Sequence, residues 1–165
     1  MSYLAAQSVA RYGDFKLSAG SADYELMNSI ATLRQKSRFL EQNSGTMRRF
    51  VQLMKDNVIG ENGFAFQVGN PRVESAWARW CVSPTVDGKM TMVDFLRQMV
   101  TTWCLNGEFI FEFVTNPAYP DMLALNPLEP DMLDETINTI NPVTKNQIKM
   151  GVEIDDLGRR SRTTC

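Results

Sequence analysis

The sequence predicts an α+β fold, with amphipathic helices packed on short mixed or antiparallel strands. Three observations carry this expectation. Apolar residues recur at i, i+3, i+4 and i+7 in several segments between residues 26 and 103. Strict alternation then takes over in "EFIFEFV". Helical and extended segments follow one another without the regular spacing of βαβ units.

Residues 1–22 mix Gly, Ser and Ala with scattered apolar side chains and read as a flexible amino-terminal arm. A single α+β domain is expected over 23–158. A first helix should begin near Asp23, with Leu26, Ile30, Leu33 and Leu40 along one face. Arg34 and Arg38, one turn apart on another face, are expected to form a solvated helix side. A break at "QNSG" precedes a second helix capped by Ser44 or Thr46. Its apolar row is Met47, Phe50, Val51, Met54 and Val58, opposite Arg48, Gln52 and Lys55. The two helices should be an antiparallel pair or one bent helix.

"DNVIGENGF" raises the question of a phosphate cradle. A cradle needs its glycines ahead of a helix, where unpaired N–H groups face the anion. Here the helix comes first, so Gly60 is expected in the left-handed conformation just past its last turn. Asn62-Gly63 then turns the chain into a strand-like "FAFQV".

Asn70-Pro71 is a second start signal, and Val73, Ala76, Trp77 and Trp80 should line one face of the short helix that follows. The tryptophan pair is expected in the core. Asp87-Gly88 makes a turn, and Thr91 with Asp94 fits a capping box. That helix carries Phe95, Met99, Val100 and Trp103 and stops at Asn106-Gly107. Phe109, Phe111 and Phe113 then occupy one strand face. "MLALN" reads as a strand stopping at Pro127. "PLEPDMLDETINTINPVTKNQ" is a turn-rich acidic loop, whose Asp131, Asp134 and Glu135 fit no EF-hand spacing. "IKMGVEID" reads as one strand, followed by a turn at "DDLG".

Composition excludes several chemistries. The 165 residues include no histidine, so no imidazole base or ligand exists. Cys81, Cys104 and Cys165 are odd in number and form no C-x-x-C pair, which argues against a disulfide framework or thiolate metal site. Seventeen basic residues against nineteen acidic ones give a net charge of −2, with no global pull toward nucleic acid or membrane. The start lacks a signal-peptide pattern, no stretch is apolar enough to span a bilayer, and a soluble, cytosolically made chain is the expectation. Catalytic, metal-binding and cofactor-binding residues are therefore not nominated. Glu108 and Glu112 on one strand side offer only a slight case for a carboxylate hydrolase.

Four landmarks in order go further. "DNVIG" at Asp56–Gly60, "NGEFIFEF" at Asn106–Phe113, "LEPDMLD" closing at Glu129–Asp134 and "GVEIDDLGR" at Gly151–Arg159 resemble the lambda-type portal proteins of tailed bacteriophages. The resemblance covers roughly residues 21–159. It implies part of a wing-like region of a head–tail connector in the virion. Such proteins form a homo-oligomeric ring, usually of twelve subunits, at one capsid vertex. Double-stranded DNA is packaged through the ring by the terminase motor, and tail adaptor proteins attach there. No catalytic site, small-molecule substrate or membrane is implied.

Family members are much longer, so this chain corresponds to an amino-terminal portion. After "DDLGR" the family pattern is Pro-Val-Ala-Tyr, whereas residues 159–165 read "RRSRTTC". Deleting one base from a string coding Arg-Pro-Val-Ala-Tyr-His-Val yields this ending, so a frameshifted prophage gene is expected. The preceding strand would then lack its hairpin partner. The alternative function is a stand-alone nucleic-acid-binding module using Arg34, Arg38, Arg48 and Arg49.

Overall fold

The structure, a computed structural model, describes residues 26–27 and 29–163. The expected arm over 1–22, the helix start near Asp23 and the last two residues lie outside this range. The described chain is α+β. Four helices come first: α1 Ile30–Asn43, α2 Gly45–Val58, α3 Pro71–Trp80 and α4 Met92–Asn106. Six strands follow: β1 Ile110–Thr115, β2 Leu123–Leu128, β3 Thr139–Ile140, β4 Gln147–Lys149, β5 Val152–Ile154 and β6 Arg160–Thr163.

One residue separates α1 from α2. Ser44 is extended (φ −114°, ψ 118°), its N–H closes α1 on Leu40 O, and its side chain accepts from Met47 N. Ser44 therefore caps α2, while Thr46 lies inside the helix. Both helices lie against α4. Val51 on α2 and Val100 on α4 are buried, as is Ile59 just past the end of α2. Arg97 reaches across to donate to Gly60 O at 2.9 Å. Gly60 itself has φ 73°, as its position after the last helical turn requires. The loop is a helix stop.

α4 opens with a full capping box. Asp94 N donates to Thr91 Oγ1 and Thr91 N to Asp94 Oδ2, each at 3.2 Å. It closes at Gly107 in the left-handed region, φ 82°. On its inner face Phe95 joins Trp80 and Leu125 to form the core, with Trp77, Cys81, Met92, Phe109 and Leu123 around them. Phe95 meets Phe109 edge-on at 5.6 Å, a favoured aromatic geometry. Trp80 satisfies its one donor by giving Nε1–H to Leu123 O at 2.7 Å.

β1 and β2 form an antiparallel ribbon, Ile110 opposite Leu128 and Thr115 opposite Leu123. The outer side of β2 is closed by the 84–86 segment: Leu125 N donates to Pro84 O at 2.7 Å, and Val86 N to Leu125 O at 3.0 Å. This explains why the strand continues through Pro127 instead of stopping there. Leu125 N points away from β1, so Pro127, two residues on, also faces outward, and its missing N–H removes no ladder bond.

β3 to β6 make a second antiparallel sheet in sequence order. Several sequence expectations change here and earlier. "IKMGVEID" is not one strand but a tight hairpin, turning at Met150 (φ 49°) and Gly151 (φ 77°). Two consecutive positive φ values suit the right-handed twist of a two-residue turn. Strand β6 pairs with β5, so the expected unpaired edge on β5 is absent. The acidic loop also contributes β3. "FAFQV" forms no strand: residues 64–68 are irregular, and Phe66 packs on the Trp77 ring at 5.0 Å instead. Leu26, Leu33 and Leu40, read as one apolar face of the first helix, are exposed, and the buried residue of α1 is Arg34.

Candidate functional site

Arg34 is only 5% exposed, and carboxylates from two distant segments surround its guanidinium. It bonds Glu108 at the start of the β1 segment, approaches Glu135 Oε1 at 2.5 Å and lies 3.6 Å from Asp131. One turn on, Arg38 donates Nη1 to Asp131 Oδ2 at 2.6 Å and Nε to Asn106 Oδ1 at 2.8 Å. The cluster ties α1 to the end of α4 and to the 129–135 loop. The Glu135 contact is an ion pair without hydrogen-bond alignment, and Arg34 Nε is buried without a partner. The hydrogen bond from Arg38 holds the Asp131 carboxyl below its ordinary range, and the same bond raises the guanidinium.

This corrects the expectation of a solvated arginine face on α1. A planar guanidinium with five donors can gather several carboxylates, and burial of an unpaired charge is too costly to persist. The sequence signal was the acidic "EPDMLDE" loop, but nothing local links it to Arg34, about a hundred residues earlier. Four of the acids weighed for metal or hydrolysis have partners inside the fold. Asp131, Glu135 and Glu108 face arginines, and Asp134 takes the Thr136 hydroxyl at 2.6 Å. Among the described residues no group of three or more His, Cys, Asp or Glu is placed to hold a metal.

Arg48 and Arg49 are exposed on α2 and make no ion pair among the described residues. The four arginines of the nucleic-acid alternative are thus split: two neutralised inside the fold, two outside. Trp80 is buried and Trp77 half-buried, whereas Trp103 is 54% exposed. Burial raises the Cys81 and Cys104 thiols, which keeps them protonated and poorly nucleophilic.

The buried centre of the second sheet is polar. Glu153, 3% exposed on β5, receives the Thr144 hydroxyl and the amides of Asn141 and Asn146 at 3.0 and 2.9 Å. These bonds organise the "NPVTKN" loop between β3 and β4. No described helix is long and apolar enough to cross a membrane.

What the described surface does offer is apolar. Phe39, Leu40, Phe50 and Leu53 on α1 and α2, Phe113 on β1 and Met122 beside it are all more than two-fifths exposed. Apolar side chains exposed singly are ordinary, whereas a large contiguous apolar patch marks a contact with another molecule.

Comparison with known proteins gives this surface a context. The probable portal protein of Halomonas phage phiHAP-1 is 30% identical over 152 residues, covering 84% of this chain and 29% of that protein. The chain therefore spans less than a third of that relative's length. The family model for phage portal protein, lambda family, matches residues 10–164, beyond the 21–159 stretch carrying the visible landmarks. With that match running through every described helix and strand, the chain belongs to the lambda family of phage portal proteins.

Proposed function

We infer that this chain supplies the wing-like amino-terminal part of a portal subunit, a structural piece of the ring at a capsid vertex. Through that ring double-stranded DNA would be packaged by the terminase motor, and tail adaptors would attach to it. The family match over residues 10–164 carries this reading. The arginine cluster supports it, because its charge is spent on tying α1 to the acidic loop and not on a ligand. Apolar helix faces left open suit a component built to be covered by neighbouring polypeptide. The reading implies a virion location and no catalysis.

A chimera tests it. In the Halomonas phage relative, the matched stretch is replaced by this chain and particles are inspected by electron microscopy. Ring-shaped oligomers are expected. A chimera that shows native-like circular dichroism yet forms no rings, while the parent does, would overturn the reading.

One observation favours the nucleic-acid alternative: the unpaired Arg48 and Arg49 beside exposed Phe50 on α2. It predicts duplex binding that falls steeply between about 50 and about 200 mM salt. The portal reading expects little binding by this chain alone at either concentration.

A further inference from the structure

We propose that the outer edge of β1 is an acceptor for an added strand, supplied by a part of a portal subunit that lies outside the segment matched here. The two edges of the β1–β2 ribbon differ. β2 is closed by the 84–86 segment, with Pro84 and Thr85 buried against it. β1 pairs with β2 alone.

The register says which groups are left. Leu125 N bonds to Pro84 and so faces away from β1, and Phe113 stands opposite Leu125. In an antiparallel ladder both members of such a pair turn their N–H and C=O groups outward. The same parity holds for Phe111 and Thr115. The bond from Asn116 N to Met122 O agrees with this register, since it extends the inward-facing set of Ile110, Glu112 and Val114. Phe111, Phe113 and Thr115 therefore present three donors and three acceptors along one side. None is bonded to another described residue.

Natural edges are guarded by lysine, proline, bulges or short length. β1 has six residues, no proline, no lysine, and a regular register. Its row of phenylalanines rises from half-buried Phe109 to Phe113 at 63% exposure, an unfinished aromatic face. A gap of about 200 Å³, lined by Ile110, Phe111, Leu133, Val152 and Arg160, lies between the start of β1 and the second sheet. Two-stranded ribbons are marginal, and a third strand supplies both hydrogen bonds and apolar cover. The occupant's source follows from length: this chain spans 29% of its Halomonas phage relative. The occupant should be an extended segment with alternating apolar residues, laid against Phe111 and Phe113.

This inference rests on the portal reading for the identity of the occupant. The test co-expresses this chain with the portion of the Halomonas phage protein outside the matched stretch, and reads amide hydrogen exchange in the purified complex. The Phe111, Phe113 and Thr115 amides should exchange at least about tenfold more slowly than in the chain alone, as newly paired groups do. Phe113→Pro removes one outward N–H without touching the β1–β2 ladder, as Pro127 does in β2. It should abolish that protection and weaken the complex, and Phe113→Lys should act likewise while keeping the backbone donor. A complex that leaves these three amides unprotected overturns this inference alone. Protection that appears in the isolated chain and grows with its concentration also overturns it, because the occupant is then a second copy. Failure of the two pieces to associate at all overturns both this inference and the portal reading.

Discussion

At the residue scale, Arg34 dominates. Its guanidinium is almost wholly removed from water and faces Glu108, Asp131 and Glu135. Truncating one partner of a buried ion pair strands the others, so Arg34→Ala should lower stability by about 3–5 kcal/mol in urea unfolding. Arg38 is a milder case, because Asp131 is 53% exposed and its pairing is screened by solvent. The sign of its pH effect is nonetheless fixed. Asp131 has a folded pKa below its unfolded value of about 3.9, so its contribution is complete above that value. It is lost as pH falls further, through the folded pKa. Asp131→Asn should flatten the acid limb of a stability–pH profile below about pH 4, and added salt should shrink the difference. None of this pairing was legible in the sequence. A charged residue on a helix is ordinarily solvated, and only the return of the 129–135 loop to α1 places acids around this one.

At the element scale, local signals and tertiary demands separate cleanly. The capping box at Thr91 and the helix ends at Gly60 and Gly107 were readable, since each depends on a few consecutive residues. Two glycine substitutions expose the difference between local and tertiary constraint. Gly107→Ala would meet open space, so its cost is that of a left-handed alanine, about 1 kcal/mol. Gly151→Ala carries the same backbone strain, and its Cβ would also lie 2.6 Å from Asp134 O, a backbone atom that cannot swing aside. Thermal unfolding should therefore show a clearly larger loss for Gly151→Ala than for Gly107→Ala. The hairpin at Met150–Gly151 was missed because "IKMGVEID" is apolar enough for one strand. Its turn is fixed by the close approach of Gly151 to the Asp134 backbone and by the bond from Gly151 N to Ile137 O. "FAFQV" failed in the opposite direction. Its residues suit a strand, but residues 64–68 pair with no strand among the described residues, and Phe66 packs at a tilt against the Trp77 ring.

At the scale of the whole molecule, the fold has a small aromatic core and much uncovered apolar surface. The tryptophans report this division. Trp80 is buried and hydrogen-bonded to Leu123 O, Trp77 is half-buried, and Trp103 is exposed. Acrylamide quenching should resolve an accessible fraction that Trp103→Phe removes, leaving emission that quenches weakly. A quenchable component that persists in this variant would mean the core at Trp80 is not closed in solution. The open apolar rows of α1, α2 and β1 fit a chain spanning less than a third of its portal relative. Periodicity, glycine punctuation and four ordered landmarks determined the α+β class, the helix positions and the family. These rest on short-range rules: helical repeat, capping and the conformational freedom of glycine. Only the tertiary structure decided that Arg34 is a buried hub, that Pro127 is tolerated within β2, and that β5 has a partner in β6. Each depends on which distant segment comes to lie alongside, a matter of register and desolvation that no local pattern encodes.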